Sequence, residues 1–448
     1  MSDTAHNSVA YVRTEELPSE PPPVRSGGAV GWMKQNLFSS PFNTIMTLIG
    51  AYIIYLVLPP LFQFAIADAV WTGSDRAACA TEQQGGVKAN DWFGWCWAFV
   101  DAKLGQYIYG RYPFEDRWRV DIVFALGAIG LIPLLIPKVP FKLANTIFML
   151  GIYPLISIIL LTGGNFEIAG WVWGLVAIIA AIFAGLNAAP FFAGQMSAQE
   201  ALAGNKPVIY GLILTIAALF ILNFDFGLSY VETSVWGGIL VTLVIAITGI
   251  VASLPIGILL ALGRRSKLPA VKLASIIFIE FWRGVPLVTV LFMSSVMLPL
   301  FLPDGVTFDK LMRALIGVAL FASAYMAEVV RGGLQAIPKG QYEGAMALGL
   351  SYWKMMRLIV LPQALKLVIP GIVNTFIGLF KDTTLVLVIG LFDLLGTIRL
   401  SFTDANWSTP VTAYSGYLFA AIFYFVFCYG MSRYSMYMED RLNTGHKR

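Results

Sequence analysis

About ten runs of apolar residues divide this chain, and several are long enough to cross the hydrocarbon core of a membrane. A core about 30 Å thick needs roughly 20 apolar residues in a helix. The runs lie near positions 42–66, 120–137, 143–162, 170–189, 208–224, 236–262, 271–299, 312–331, 366–391 and 412–433. The pattern predicts an all-α fold, a polytopic bundle of about ten membrane-spanning helices.

The polar stretches between these runs predict the domain boundaries. Residues 1–40 are polar and Pro-rich, which predicts a disordered cytoplasmic tail and not a cleaved signal peptide. Residues 41–225 carry few charges inside their spans, as expected of accessory transmembrane helices, and an extracytoplasmic insertion interrupts them at 68–119. Residues 226–442 form a second domain, the core, with polar residues at membrane depth, and residues 443–448 form a cytoplasmic tail.

Composition agrees with a membrane protein. Of the 448 residues, 58% are hydrophobic and 12% are charged, whereas soluble domains average about 25% charged residues. The net charge of +4 is too small to indicate a nucleic-acid partner. Because both histidines, His6 and His446, lie in the tails, the sequence predicts no metal site and no histidine proton relay inside the membrane.

Lysine and arginine are distributed asymmetrically between the short loops of the second half. Residues 264–267, the loop from 331 to 357 and the C-terminal tail are rich in them, and the alternating loops are poor. Since cytoplasmic loops carry the excess of positive charge, the rich loops and both termini are predicted to be cytoplasmic. The insertion then faces the opposite side, and Arg117 and Arg119 are exceptions to the rule.

The chain has three cysteines. Cys428 falls inside an apolar run and is predicted to be inert packing. Cys79 and Cys96 share the insertion, where an extracytoplasmic environment would permit a disulfide. Two free thiols are the alternative.

Charged and hydroxyl residues at membrane depth in the core are candidates for a substrate pathway, because charges there are costly and usually face a cavity, a partner or an interface. The candidates are Arg283, Glu328, Arg331, Lys381, Asp382, Thr383 and Thr384. Arg283 precedes Gly284 and Pro286, which predicts a broken helix that exposes backbone groups to a ligand. The alternative is an arginine that only reaches the membrane interface.

The other candidates also have structural interpretations. Glu328 and Arg331 are three residues apart, so they can pair on one helix face and anchor a helix end instead of contacting substrate. The group from Lys381 to Thr384 can bind the ammonium and carboxylate groups of an amino acid. It can equally close a gate between subunits, or be packing.

A polar passage, IPKGQYEGAMALG, interrupts the core at 337–349 and cannot cross a bilayer. Pro338 predicts the start of a helix about two turns long, and Gly349 is placed for a left-handed C-terminal cap. Ser351 can cap a second helix, YWKMMRLIVL, which is predicted to end near Pro362. The passage therefore predicts a hairpin of two short helices.

The small residues of this hairpin predict a contact with another protein. Gly344, Ala345 and Ala347 would offer a shallow surface that permits close approach. Glu343 would be available to a cationic partner.

The hairpin resembles the cytoplasmic loop of bacterial ABC-transporter permeases, which reads Glu-Ala-Ala, three residues, Gly, nine residues, Ile-x-Leu-Pro. Here the pattern runs Glu343-Gly344-Ala345, Gly349 and Ile359-Val360-Leu361-Pro362 with both spacings kept. Only Gly344 departs, standing where Ala is usual, and Gly weakens a helix by roughly 1 kcal/mol.

The resemblance extends over residues 236–442 and narrows to the polar amino-acid uptake subfamily. It rests on GGILVTL (237–243), FWRGVPLVTVLF (281–292), AYMAEVVRGGLQAIPKGQ (324–341) and LPQALKLVIPGIVNTFIGLFKDTTLVLVIG (361–390). With its extra N-terminal spans, the chain looks like the larger permease subunit of general L-amino acid or glutamate/glutamine importers. The resemblance thus implies that residues 226–442 are a type I ABC importer permease core.

The resemblance also implies roles for the hairpin residues. In that family the loop at 337–362 is the coupling helix, which docks in a groove on an ATPase subunit. The positions that match or flank its motif are Glu343, Gly344, Ala345, Ala347, Leu348 and Gly349. The chain lacks a G-x-x-x-x-G-K-[ST] phosphate loop, so it is not expected to be an enzyme. No cofactor is expected on it, and ATP and Mg belong to the partner ATPase.

The implied function is a permease subunit of an ATP-driven importer of L-amino acids in the bacterial inner membrane. The implied partners are a second homologous permease, an ATPase dimer and a periplasmic amino-acid-binding protein, with membrane lipid around the bundle. An ion-coupled secondary amino-acid transporter is the alternative.

Overall fold

The computed structural model describes residues 28–166, 170–192, 198–301 and 308–442. Helices dominate, and one strand of two residues, β1, is present. The helices of the N-terminal half are α1 (Ala29–Asn36), α2 (Pro41–Phe62), α3 (Trp97–Tyr109), α4 (Arg117–Leu135), α5 (Lys142–Ile147), α6 (Tyr153–Thr162), α7 (Gly170–Phe192) and α8 (Ala198–Asn223). The C-terminal half contains α9 (Gly238–Arg264), α10 (Pro269–Gly284), α11 (Leu287–Phe292), α12 (Lys310–Ala336), α13 (Lys339–Ala347), α14 (Tyr352–Met355), α15 (Leu361–Leu367), α16 (Ile369–Asp382), β1 (Phe392–Asp393), α17 (Leu394–Ser401) and α18 (Pro410–Leu442).

Seven helical segments of the described chain are long and apolar enough to cross a membrane. They are Pro41–Ala67, Phe114–Leu135, Lys142–Thr162, Gly238–Arg264, Lys310–Ala336, Ile369–Ile389 and Pro410–Leu442. A bent pair, Pro269–Gly284 and Leu287–Phe301, forms an eighth, and two shorter apolar stretches lie within α7 and α8. The prediction of an all-α bundle with about ten spans agrees with this architecture.

Helix α1 lies inside the segment that was predicted to be a disordered tail. Residues 1–27 of that tail and the C-terminal tail 443–448 lie outside the described residues. The difference at Ala29–Asn36 follows from local composition, because this stretch contains no proline, whereas four prolines lie between positions 18 and 23.

One compact unit comprises residues 28–70 together with 91–95 among the described residues. Helix α2 has no buried residue, although it is apolar on every side, as is typical of a helix surrounded by lipid. After α2 the chain is fixed by Trp95, whose backbone N–H donates to the carbonyl of Phe64 at 2.7 Å and whose carbonyl accepts from Val70 at 2.8 Å.

The second unit comprises Trp71–Asn90 and the described residues from Cys96 onward. Its centre is the packing of α9 against α12. Small residues allow the two backbones to approach, since a Cβ on Gly257 would lie 2.7 Å from Cγ of Met326. The surrounding apolar core draws on α4, α9, α11, α12 and the 3-10 turn after α16.

The insertion residues of this unit connect to the ends of three core helices. Residue 110 pairs with 236, and residues 237 and 238 pair in parallel with β1. The Cys96 N–H donates to Oγ of Ser415 in α18 at 2.9 Å, and the hydroxyls of Tyr107 and Ser401 are 2.9 Å apart. Lys103 forms an ion pair with Asp404. The structure also joins Cys79 to Cys96 by a disulfide.

The two arginines that depart from the charge rule make different contacts within the fold. Arg119 is 3% exposed, pairs with Asp116 at 2.6 Å and donates to the carbonyl of Ser229 at 2.8 Å. The Arg117 guanidinium lies 5.0 Å from the ring centroid of Tyr109. Arg119 is therefore paired with a carboxylate, whereas Arg117 makes a cation–π contact that leaves its charge in place.

Candidate functional site

The first helix of the hairpin, α13, begins after Pro338 and ends in a left-handed cap. Gly349 has a φ of +71°. Its N–H donates to the carbonyl of Met346 at 2.9 Å, and the Leu350 N–H donates to the carbonyl of Ala345 at 3.2 Å. These two bonds are the Schellman pattern of helix termination, in which the residue after the cap is usually Gly. The cap predicted at Gly349 is present.

The second helix of the hairpin differs from the prediction. Ser351 occupies the N-cap position of α14, but its side chain makes no capping hydrogen bond. The helix does not end near Pro362, because a π turn at Met356–Val360 leads directly into α15. Pro362 is then in the first turn of α15, where a missing backbone N–H costs little.

One face of the hairpin is buried against the rest of the chain. Ala345 is 2% exposed and belongs to an apolar cluster with Met326 of α12, Ala261 of α9 and Met355 of α14. Ala345 therefore packs inward, and it does not form part of the shallow outer surface expected from the sequence. The cluster holds the hairpin against the ends of α9 and α12.

The opposite face carries the remaining coupling candidates, since Glu343, Gly344, Ala347, Leu348 and Gly349 are all exposed. Two large apolar side chains that were not predicted from the sequence, Met346 and Trp353, stand beside them. Met346 is 58%, Leu348 78% and Trp353 66% exposed. Met346 and Trp353 could have been predicted from the sequence, because they are bulky apolar residues in a polar passage that cannot span a membrane. We call Glu343, Met346, Leu348 and Trp353 the hairpin's outer face.

An open recess of about 420 Å³ lies beside this face. Its lining includes Arg265, Lys339, Tyr342 and Glu343. The Arg265 guanidinium donates to the hydroxyl of Tyr342 at 2.9 Å and lies 5.4 Å from the centroid of its ring. Tyr342 thus ties α13 to the residue that follows α9, a contact that the sequence reading missed.

Five charged residues from α9, α10 and α12 form a cluster centred on Glu328. The cluster consists of Arg264, Glu280, Arg283, Glu328 and Arg331. Arg331 donates from Nε and Nη2 to Oε2 of Glu328 at 2.9 and 2.6 Å, and Arg264 donates from Nη1 to Oε1 at 2.7 Å. Because both carboxylate oxygens accept bonds from within the chain, the geometry favours the structural interpretation of the Glu328–Arg331 pair.

Arg283 lies next to a break in the helix, as the sequence predicted. Helix α10 ends at Gly284, and the chain bends by 104° before α11 begins at Leu287. Arg283 is about one-third exposed, and its Nη1 lies 3.8 Å from Oε1 of Glu328, beyond hydrogen-bonding distance. Its guanidinium lies 5.6 Å from the centroid of the Tyr325 ring.

The group from Lys381 to Thr384 forms the end of α16 and the start of a 3-10 turn. Thr383 is buried and donates to the carbonyl of Phe380 at 2.9 Å, while Thr384 donates to the carbonyl of Lys381 at 3.0 Å. Lys381 is exposed and Asp382 is half-buried. Within the described residues, no ion pair or hydrogen bond joins this group to the cluster around Glu328.

Comparison with known proteins identifies the family. Residues 253–443 match the family described as binding-protein-dependent transport system inner membrane component. The inner membrane amino-acid ABC transporter permease protein YhdY of Escherichia coli K12 is 45% identical to this chain and aligned with 96% of it and 97% of YhdY. The chain belongs to the family of ABC transporter permeases.

Two further proteins are similar to this chain. The glutamate/glutamine/aspartate/asparagine transport system permease protein BztC of Rhodobacter capsulatus is 42% identical over the whole of both chains. A crystal structure of an amino acid ABC transporter with histidines is 29% identical, covers 46% of this chain and 92% of its own, and has a TM-score of 0.40.

The hairpin and the charge cluster both lie in the part of the chain that defines the ABC permease family. The matched region, 253–443, includes the hairpin and the charge cluster, whereas the full-length relatives also span the N-terminal half and the insertion. ABC permease subunits are not themselves enzymes. The chain is a multi-pass inner-membrane permease subunit.

Proposed function

We propose that this chain is the larger permease subunit of an ATP-driven importer of L-amino acids. Support comes from the two relatives aligned over nearly their whole length, both of which are named as amino-acid permeases. The ion-coupled alternative is not retained, because the family depends on a binding protein and on an ABC system.

The hairpin's outer face is the proposed contact with the ATPase. The exposure of its apolar side chains is the main support for this coupling role. Leu348, Trp353 and Met346 remain exposed although the hairpin itself is capped and packed against α9 and α12. Exposed aromatic and methionine side chains such as Trp353 and Met346 are enriched in protein interfaces. ATP and Mg would bind to the ATPase dimer, with no cofactor on this chain.

The proposed orientation puts the hairpin and both termini in the cytoplasm and the insertion in the periplasm. The charge asymmetry of the loops supports it, with Arg117 and Arg119 as the two exceptions. In this orientation the insertion is on the side from which a periplasmic amino-acid-binding protein would approach.

The substrate pathway would lie between this chain and a second homologous permease. Lys381, Asp382 and the helix break at Arg283 are the proposed contributors, since Lys381 is exposed and Asp382 has no ion-pair partner among the described residues. The hydroxyls of Thr383 and Thr384 are engaged with backbone carbonyls and would shape the turn. Glu328 and Arg331 would act as anchors.

Closure of the ATPases would then displace the hairpin and switch the pathway between outward and inward access. Such a switch requires only that the contacts between ATPase and hairpin differ in free energy between the two states.

Leu348→Asp tests the proposed ATPase contact. Burying a leucine contributes about 1.5–3 kcal/mol, so its replacement by a charge should weaken co-purification of the ATPase at least tenfold and abolish uptake in proteoliposomes. Leu268→Asp is the matched control, since Leu268 is a 64% exposed leucine outside the hairpin, and it should retain the ATPase. Equal retention by both variants would argue against the hairpin as the docking site.

A further inference from the structure

Two consecutive arginines at the end of α9 contact different parts of the chain. Arg264 is the last residue of the helix and Arg265 is its C-cap. Arg265 reaches the hairpin, whereas Arg264 reaches the charge cluster. Neither residue belongs to the motifs that identified the hairpin or the helix break.

The Arg265 contacts form a closed set of hydrogen bonds. Its Nη1 donates to the carbonyl of Leu334 at 3.0 Å and to the hydroxyl of Tyr342 at 2.9 Å. The Tyr342 hydroxyl donates in turn to the same Leu334 carbonyl at 3.2 Å. The hydrogen-bond triangle therefore joins α13 to the last turns of α9 and α12, and movement of Tyr342 must displace Arg265 or break the triangle.

Arg264, the residue before Arg265, connects the end of α9 to α10 and α12. Its Nη1 lies 2.9 Å from Oε1 of Glu280 and 2.7 Å from Oε1 of Glu328. Arg283 meets Glu328 only at 3.8 Å. The longest contact in the cluster is thus the one that lies beside the 104° break, where few backbone torsions need to change for a helix to reorient.

We propose that Arg264 and Arg265 are positioning residues that transmit displacement of the hairpin to the break between α10 and α11. This relay rests on the proposed function, in which the hairpin is the site of ATPase coupling. Tyr342 passes movement to Arg265, the peptide bond passes it to Arg264, and Glu328 exchanges its contact with Arg283. A planar guanidinium that bridges two acceptors suits this task better than a flexible ammonium group.

The relay is tested in the complete transporter, assembled with its ATPase and second permease in proteoliposomes. The measured quantity is amino-acid uptake per ATP hydrolysed. Tyr342→Phe keeps the aromatic ring and removes the hydroxyl, while Arg264→Lys and Arg265→Lys keep the charge. Each should lower uptake per ATP about fivefold or more, within the range of allosteric coupling between sites, with unchanged complex yield and melting temperature. Lys267→Gln, a neighbouring loop cation, should leave the ratio unchanged.

A double-mutant cycle distinguishes a relay from two separate effects. The Arg265→Lys, Tyr342→Phe double variant should be no worse than the poorer single variant, because both changes break one connection. Additive losses, an unchanged ratio, or losses that follow the melting temperature would each overturn the relay. A wild-type assembly without ATP-dependent uptake would instead contradict the proposed function, whereas coupled wild type with indifferent variants would contradict the relay alone.

Discussion

Gly349 determines how the chain turns at the end of α13. Its φ of +71° lies in the left-handed region, and a Cβ placed on it would meet no atom within 4 Å. The restriction at this position is therefore in the backbone conformation and not in packing. A β-branched residue with positive φ is a rare outlier, with a cost of about 1–3 kcal/mol.

Gly349→Val should therefore distort the hairpin and uncouple ATP hydrolysis from uptake, while the protein remains in the membrane. The measurement is ATP hydrolysis and uptake on the same proteoliposomes. Gly344→Ala is the control, because Gly344 is helical, exposed and surrounded by open space. It should keep coupling and strengthen α13 by roughly 1 kcal/mol. Normal uptake in Gly349→Val would contradict the role given to this turn.

Local chemistry predicted some residues and tertiary packing determined others. The cap at Gly349 and the break after Arg283 follow from Gly and Pro, whose backbone preferences act within a few residues. The burial of Ala345 depends on which face of α13 meets α9 and α12, and small residues suit either face. The partnership of Arg265 with Tyr342 spans 77 residues, so spacing along the chain gave no indication of it.

At the scale of elements, the presence of the helices was predicted better than the residues at which they end. The ten apolar runs correspond to described helical segments, but proline was a misleading stop signal at Pro362. There the chain forms a π turn first, so that the proline begins α15 instead of ending the preceding helix. At Pro286 the same residue type marks a real break, since it precedes α11 in an extended conformation.

The disulfide between Cys79 and Cys96 is an element-scale constraint on the insertion. It closes a loop across a sequence separation of 17 residues, and a loop of about that length is worth around 3 kcal/mol through the entropy of the unfolded chain. Cys79→Ser with Cys96→Ser should lower the melting temperature of the detergent-solubilised protein and expose residues 71–96 to protease. Cys428→Ser, which removes the unpaired cysteine of α18, should leave the protease pattern unchanged. Equal resistance in both variants would mean that the bridge does not constrain the insertion.

At the scale of the whole molecule, residues 71–90 and 96–119 of the insertion fold with the C-terminal half within one unit. The division into an accessory half and a core was predicted from the number of charged residues inside the spans. Composition gives no information on contacts between segments that are distant in the sequence. The backbone pairing of residue 110 with 236, the contact of Cys96 with Ser415 and the Lys103–Asp404 pair join the two parts of this unit. Residues 96–110 are thus joined to the ends of α9, α17 and α18.

The Lys103–Asp404 pair gives this connection a pH dependence. The hydrogen bond from Lys103, with a second from the Asn406 N–H, holds the pKa of Asp404 below its usual value. A carboxyl whose folded pKa is lowered stabilises the fold fully above its unfolded pKa and loses that contribution as the pH falls through the folded value. For a pair at this exposure the contribution is at most about 1 kcal/mol.

Asp404→Asn should therefore lower the melting temperature slightly at pH 7, and the difference from wild type should shrink as the pH falls below about 4. The measurement is thermal unfolding of both proteins in detergent over that pH range. Because every other carboxyl is common to the two proteins, their titration cancels in the difference. A difference that stays constant down to pH 3 would show that Asp404 acts through its shape or its backbone contacts and not through its charge. In that case the charged link between the insertion and the segment after α17 would have to be assigned to another pair.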